Sequence, residues 1–294
     1  MTFRGTHTAL ITPFRDGTVD YDAFRALIDR QADAGITGIV PVGTTGESPT
    51  LVNEEHLEVI RVAIEHAAGR LKVIAGTGAN ATAEAIHLTT EAAKLGADAS
   101  LQVCPYYNKP SQEGIFQHYA AVAQAAPELP MMLYSVPGRS VVEIAPETAA
   151  RLANDFSNIT SIKEAGGSVD RVNQLLQVLP ESCEILSGDD PLTLPFMSCG
   201  AIGLVSVAAN IVPEVIVELV NACNEGDYAK ALELQRNYYP LFAGLMSLDT
   251  NPVPIKTAAS LMGHCSEEFR LPLVNLSVEK SGQLSKLLAD FNLV

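Results

Sequence analysis

Positive charge is scarce in this chain: 19 lysines and arginines stand against 34 aspartates and glutamates, a net charge of -15 over 294 residues. An acidic surplus of that size argues against nucleic acid or an anionic membrane as partner. Cysteine is equally thin. The five, Cys104, Cys183, Cys199, Cys223 and Cys265, are odd in number, widely spaced and free of CxxC pairing. They read as reduced, packed thiols, not as a disulfide framework or zinc site. The six histidines include no HExxH, and His56 and His66 do not share a close helical face, so no metal is expected. No apolar run reaches membrane-spanning length, and Met1-Thr2-Phe3-Arg4-Gly5 leads into the strand-like Thr8–Ile11 without the charged start and apolar centre of a signal peptide. The expected location is cytoplasmic.

What is present is ordinary globular composition, 47% hydrophobic and 18% charged, long enough for a sizeable core. Strand-like and helix-like segments alternate with a repeat of roughly 25 to 30 residues, the rhythm of βα units. Strands are expected near Thr8–Ile11, Gly38–Val42, Lys72–Gly76, Ala99–Cys104, Met131–Ser135, Ile159–Lys163, Glu184–Ser187 and Ala201–Val207. Amphipathic stretches lie between them, the first behind an Asp20 cap and others opening on Pro146 and Pro213. Eight such units make a closed (β/α)8 TIM barrel the first expectation and an open doubly wound sheet the second. After Gly226 the rhythm changes. Asp227 caps a long helix, Asn251-Pro252-Val253-Pro254 breaks it, and two further helices follow. The expected division is a barrel over 1–224 and a C-terminal helical appendage over 225–294, packed on the barrel or on a partner subunit.

If the strands are so placed, unusual residues collect at their carboxyl ends. Strand two runs into Gly43-Thr44-Thr45-Gly46-Glu47-Ser48, strand four into Tyr106-Tyr107-Asn108, and strand five ends at Tyr134. Strand six ends at Lys163, strand seven at Ser187-Gly188-Asp189-Asp190, and strand eight carries Val205-Ser206. Barrel sites are assembled from such loops. Period 2 puts Ile159, Ser161 and Lys163 on one face, and if that face is the barrel interior the ammonium enters an apolar funnel. An unperturbed lysine near pKa 10.4 needs roughly 4 to 5 kcal/mol to release its proton at neutral pH, and desolvation removes much of that cost. A neutral amine attacks a carbonyl carbon to give a Schiff base. The alternative for Lys163 is a solvated loop lysine, for Tyr106 and Tyr107 simple packing, and for Arg139 an exposed loop cation. Gly43–Gly46 lacks the Walker pattern and suits a carboxylate better than a phosphate.

Taken together, Gly43-Thr44-Thr45-Gly46-Glu47, Ile74–Gly78, Pro105–Pro110, Tyr134 with Val136-Pro137-Gly138-Arg139, Ile162-Lys163-Glu164-Ala165 and Ser187–Asp190 resemble the 4-hydroxy-tetrahydrodipicolinate (dihydrodipicolinate) synthase family over nearly the whole chain. Ser135 and Gly138–Val141 depart from the family's common run but keep the arginine. The resemblance implies a class I aldolase that condenses pyruvate with L-aspartate 4-semialdehyde in lysine and diaminopimelate synthesis, with no cofactor beyond the covalent Schiff base. It implies that Lys163 binds pyruvate, that Tyr134 shuttles protons, and that Thr44 and Tyr107 complete the relay, Tyr107 from a neighbouring subunit. Thr45 and the Val205 backbone would hold pyruvate's carboxylate, and Arg139 that of the aldehyde. A homotetramer, as a dimer of dimers, is the implied assembly.

The same resemblance places Ser48, His56, Asn80, Glu84 and Tyr106 at positions that line an L-lysine inhibitor pocket in some members, although Pro49 and Asn53 depart from one version. Helix-surface polarity is the alternative there. Related lyases for keto-deoxy sugar acids or N-acetylneuraminate share the lysine, tyrosine and glycine turn, while Thr44, the tyrosine pair and Arg139 together favour the synthase. A non-catalytic barrel binding pyruvate or an amino acid is the remaining reading, and it leaves the hydroxyl relay without a purpose.

Overall fold

The structure, a computed structural model, describes residues 2–294. Eight strands form a closed parallel barrel in chain order: β1 (Gly5–Ala9), β2 (Gly38–Val40), β3 (Lys72–Gly76), β4 (Ala99–Val103), β5 (Met131–Ser135), β6 (Ile159–Glu164), β7 (Glu184–Ser187) and β8 (Gly203–Ser206). Strand β1 pairs with β2 on one side and β8 on the other, which excludes the open sheet. At the closing seam a Cβ on Gly203 would fall 2.2 Å from the carbonyl oxygen of Gly5, so only glycine lets these backbones meet.

The barrel is ringed by α1 (Tyr21–Asp33), α2 (Asn53–Ala67), α3 (Thr82–Leu95), α4 (Gln112–Ala125), α5 (Pro146–Asp155), α6 (Val169–Val178), α7 (Thr193–Ser198) and α8 (Pro213–Glu225). Asp20 accepts from the Ala23 amide at 3.0 Å, and proline opens α5 and α8, as the sequence indicates. Strand boundaries differ from expectation by a few residues at β1, β2, β4, β6 and β8, and a short hairpin of Phe14–Arg15 with Thr18–Val19 was not anticipated.

One strand face needs correcting. The pairing of β5 with β6 steps from Met131↔Ile159 to Met132↔Ser161, so Thr160 is an extra residue in the ladder. Period 2 therefore fails at that point. Ile159 joins the outer apolar layer with Ile162, whereas Tyr134, the register partner of Lys163, lies in the interior cluster with Leu186 and Val205.

Beyond the barrel come α9 (Tyr228–Ser247), α10 (Val253–Leu261) and α11 (Val278–Asp290). Asp227 caps α9 by accepting from the Lys230 amide at 3.0 Å. Leu241, Phe242, Ile255 and Leu284 are fully buried and belong to the same apolar cluster as the outer layer of the barrel. The helical region thus shares the barrel's core and reaches the rim where the strands end. Among the described residues, no helix is long and apolar enough to cross a membrane.

Candidate active site

Two adjoining cavities open at the carboxyl ends of the strands, of about 220 and about 90 Å³, and they share Gly43, Thr44, Leu101, Tyr134 and Arg139 in their walls. Lys163 lies in the smaller one, only 5% exposed, with its Nζ 4.2 Å from the centroid of the Tyr134 ring. Its hydrocarbon stem runs over Gly188. A Cβ on that glycine would come within 2.8 Å of Lys163 Cε and 2.7 Å of Ala165 Cβ, so the absence of a side chain there shapes the lysine's path. Strand β6 places Lys163 inward and the next residue outward. Glu164 accepts from the Gly166 amide at 2.7 Å and from Arg171 at 3.4 Å, which ties down the loop that follows. Burial raises the Glu164 carboxyl, and Arg171 opposes the rise.

The turn after β2 brings the two threonines to the same space. Gly46 donates to the Gly43 carbonyl at 3.1 Å, Ser48 to the same oxygen at 3.2 Å, and Thr12 Oγ1 to the Gly46 carbonyl at 2.8 Å. The turn is bounded by Val42 at φ 48° and Glu47 at φ 56°, both in the left-handed region, where a β-branched residue such as Val42 is rare. Buried contacts hold it there. Glu47 and Lys256, both wholly inaccessible at their side chains, pair at 2.7 Å, with the ammonium 4.0 Å from the Phe14 ring centroid. Thr45 is buried, and Thr44 is half-buried in the walls of both cavities.

Strand β5 contributes Tyr134 and leads into a single helical turn, Pro137–Ser140, which carries Arg139 to the mouth. There Nη2 of Arg139 donates to the Asn251 carbonyl at 3.0 Å. Val205 is buried in the barrel interior, and it is Val207 that the cavity wall shows at the end of β8. Tyr107 stands apart: at φ 72° and 86% exposed, it lines neither cavity of its own chain. Of the second set, Ser48 and Tyr106 line the larger cavity, and Asn80 donates to the Tyr106 carbonyl at 3.3 Å. Burial raises the Tyr106 hydroxyl, with the Glu84 charge adding to it. His56 is buried beneath, its Nε2 2.7 Å from the Gly76 carbonyl, and burial lowers its pKa to about 4.

Sequence reasoning assigned no role to Asp189, Asp190 or Asn251. Asp189 shares the wall of the smaller cavity with Lys163, and burial together with the Asp190 charge raises it to about 6. Asp190 accepts from the amides of Val207 at 2.9 Å and Ala208 at 3.1 Å and from the Ser206 hydroxyl, which fixes the end of β8. The adjacent acidic pair at a strand end was the available signal for both. Asn251 comes from the segment between α9 and α10, and no local pattern marks it. Among the described residues, no group of three His, Cys, Asp or Glu side chains is placed to hold a metal ion.

The profile of the dihydrodipicolinate synthetase family matches residues 2–291. The 4-hydroxy-tetrahydrodipicolinate synthase of Aquifex aeolicus is 48% identical over 291 residues, covering 99% of this chain and 98% of that protein. The crystal structure of dihydrodipicolinate synthase from the same organism superposes with a TM-score of 0.97, covering 99% of each chain. A chloride-inhibited dihydrodipicolinate synthase from Acinetobacter baumannii, complexed with pyruvate, is 42% identical with a TM-score of 0.96 over 100% of both chains. DHDPS from Cyanidioschyzon merolae with lysine bound is 40% identical with a TM-score of 0.96 over 99% of both. A buried lysine beside a tyrosine and a threonine turn, on a barrel matched from end to end, makes this chain a member of the dihydrodipicolinate synthetase family.

Proposed function

We propose that the protein condenses pyruvate with L-aspartate 4-semialdehyde to give 4-hydroxy-tetrahydrodipicolinate, through a Schiff base on Lys163. The observation that carries this is the Lys163 ammonium in a small, largely enclosed cavity, 4.2 Å from the Tyr134 ring and sharing its walls with Thr44 and Thr45. In its neutral form the amine adds to the C2 carbonyl of pyruvate, and the carbinolamine loses water to leave an iminium. The iminium withdraws electrons from the pyruvate methyl group, which loses a proton to give an enamine. The enamine carbon attacks the aldehyde. The second substrate's own amine then adds at the imine carbon, closes the ring and releases Lys163.

Each step moves a proton, and hydroxyls that both donate and accept suit the task. Tyr134 and Thr44 fill that role here, with Tyr107 supplied by a neighbouring chain of a homotetramer. Thr45 and the backbone at Val205 receive the pyruvate carboxylate. Arg139 and Asp189 stand on the same cavity wall with opposite charges, which suits an aldehyde carrying both a carboxylate and an ammonium. The barrel over 1–224 carries the chemistry, and the region over 225–294 supports the rim.

The larger cavity, with Ser48, Tyr106, Asn80, Glu84 and His56 around or beneath it, is the proposed site for L-lysine as inhibitor. The lysine-bound relative supports this. Initial rates measured with added L-lysine fall if the assignment holds and stay level up to millimolar concentrations if it does not.

The main proposal is tested by incubation with pyruvate and borohydride followed by peptide mapping. The reduced adduct is expected on Lys163, and Lys163→Ala should lose both the adduct and at least about 10³-fold in turnover of aspartate semialdehyde. An adduct elsewhere, or a Lys163→Ala chain with full turnover, sinks the proposal.

A further inference from the structure

Asn251 belongs to the helical region, yet its side chain enters the wall of the smaller cavity, where the residue is only 7% exposed. Its Nδ2 donates to Oγ1 of Thr45 at 3.0 Å, while its backbone carbonyl accepts from Nη2 of Arg139, also at 3.0 Å. A threonine hydroxyl has one proton and two acceptor positions. Because Asn251 occupies an acceptor position, the proton of Thr45 remains available, and no acceptor among the described residues takes it. Thr45 is itself 3% exposed and stands in the wall of the smaller cavity, so a molecule held in that cavity is the partner its proton can reach. A buried hydroxyl left with a free donor beside a lysine amine is prepared for an anion.

We propose that Asn251 is a positioning residue that fixes the Thr45 hydroxyl as a donor toward the carboxylate of the keto acid held at Lys163. Its carbonyl holds Arg139 in place at the same time, so one residue of the helical region orients both carboxylate partners. The inference rests on the reading of Thr45 as the pyruvate carboxylate's partner. An unrestrained hydroxyl rotates and presents lone pairs as readily as its proton. The amide of Asn251 removes that freedom before the substrate arrives, which lowers the cost of binding and leaves the later chemistry unaltered.

The test is a set of variants assayed for pyruvate KM and kcat at saturating aldehyde. Asn251→Asp keeps the shape but reverses the bond, since a carboxylate accepts the Thr45 proton and adds a negative charge. Asn251 Oδ1 has no hydrogen-bond partner to lose in that exchange. The pyruvate KM of Asn251→Asp should rise about tenfold or more with kcat within about threefold, the pattern of lost ground-state binding. Asn251→Ala should raise it by about three- to tenfold in the parent chain but by less than about twofold in a Thr45→Val background, because its effect passes through that hydroxyl. KM does not depend on the folded fraction, so partial misfolding does not imitate this result. An unchanged KM in Asn251→Asp, or an Asn251→Ala effect that multiplies in full on Thr45→Val, overturns the proposal. A Thr45→Val chain with unchanged pyruvate KM overturns the placement of pyruvate's carboxylate first, and this inference with it.

Discussion

Gly188 and Asp189 show how far a single residue shapes the chemistry of Lys163. Gly188→Ala puts a methyl group 2.8 Å from Lys163 Cε and 2.7 Å from Ala165 Cβ; the lysine stem can give way, whereas the Ala165 methyl moves only with its backbone. The amine is then displaced from the carbonyl carbon by a fraction of an ångström to an ångström, a shift that costs up to about 10²-fold in a reaction depending on alignment. The rate of borohydride-trapped adduct formation should fall by roughly 10- to 100-fold, and the contact with Ala165 should lower stability by about 1 to 3 kcal/mol. A wild-type trapping rate in Gly188→Ala would mean that the lysine's path does not depend on this glycine. Asp189 gives a pH signature instead. Its folded-state pKa of about 6 lies above the ordinary value, because burial and Asp190 oppose the charge. The folded state therefore holds its proton longer than the unfolded chain, and stability falls as pH rises from near 4 to about 6. Asp189→Asn removes that cost. The variant should be more stable than the parent by about 1 kcal/mol above pH 6, allowing for partial exposure, with the gap closing toward pH 4. Thermal unfolding across that range checks it, and a constant gap would show that Asp189 is not the titrating group.

At the scale of elements, the turn after β2 depends on a helix more than 200 residues away in the chain. Glu47 holds the end of that turn, and its partner Lys256 is on α10. Burial pushes the Lys256 pKa down while the Glu47 charge pushes it up, so the ion pair persists only as a pair. Lys256→Met leaves an unpaired buried carboxylate and should cost about 3 to 5 kcal/mol, whereas Glu47→Leu with Lys256→Met together should recover most of it. Denaturant unfolding at fixed protein concentration separates these outcomes, and a double variant no better than either single one would contradict the account. The local half of this arrangement was legible in the sequence. Alternation and glycine turns place β3, β5 and β7 at their observed limits, and the cap at Asp20 and the prolines opening α5 and α8 are local chemistry. The face of Ile159 was misjudged because the extra residue at Thr160 is set by pairing with β5, which no window along β6 contains. The Glu47–Lys256 pair and the bond from Asn251 to Thr45 were hidden for the same reason, since each joins segments far apart in the chain, and a β-branched residue such as Val42 carries no local sign of the left-handed region. Lys163, Tyr134, Thr44, Thr45 and Arg139, named through the family resemblance, line one cavity because strand ends and the turns after them converge on a barrel rim whatever the remaining contacts are.

For the whole molecule, the unresolved balance is a tyrosine with no pocket. Tyr107 exposes 86% of its surface and holds φ at 72°, and its ring joins the wall of neither cavity at the strand ends. A large aromatic in that state is normal for a chain whose site is completed by another copy. If Tyr107 enters the neighbour's relay, the defects of two inactive variants complement each other. A Lys163→Ala chain has no amine but offers an intact Tyr107, and a Tyr107→Phe chain has the amine but offers no phenol. When the two meet across the interface, the Lys163 of the second chain faces the Tyr107 of the first, and one of the two sites is whole. Random reassortment makes such pairs about half of all pairs, so the mixture should approach about a quarter of wild-type turnover per chain, well above the average of the two variants alone. The measurement is a dissociation and reassembly of equal amounts, with a mixture never dissociated as the reference. Recovery no greater than that reference would show that Tyr107 serves its own chain or none, and the proposed assembly would lose its mechanistic role.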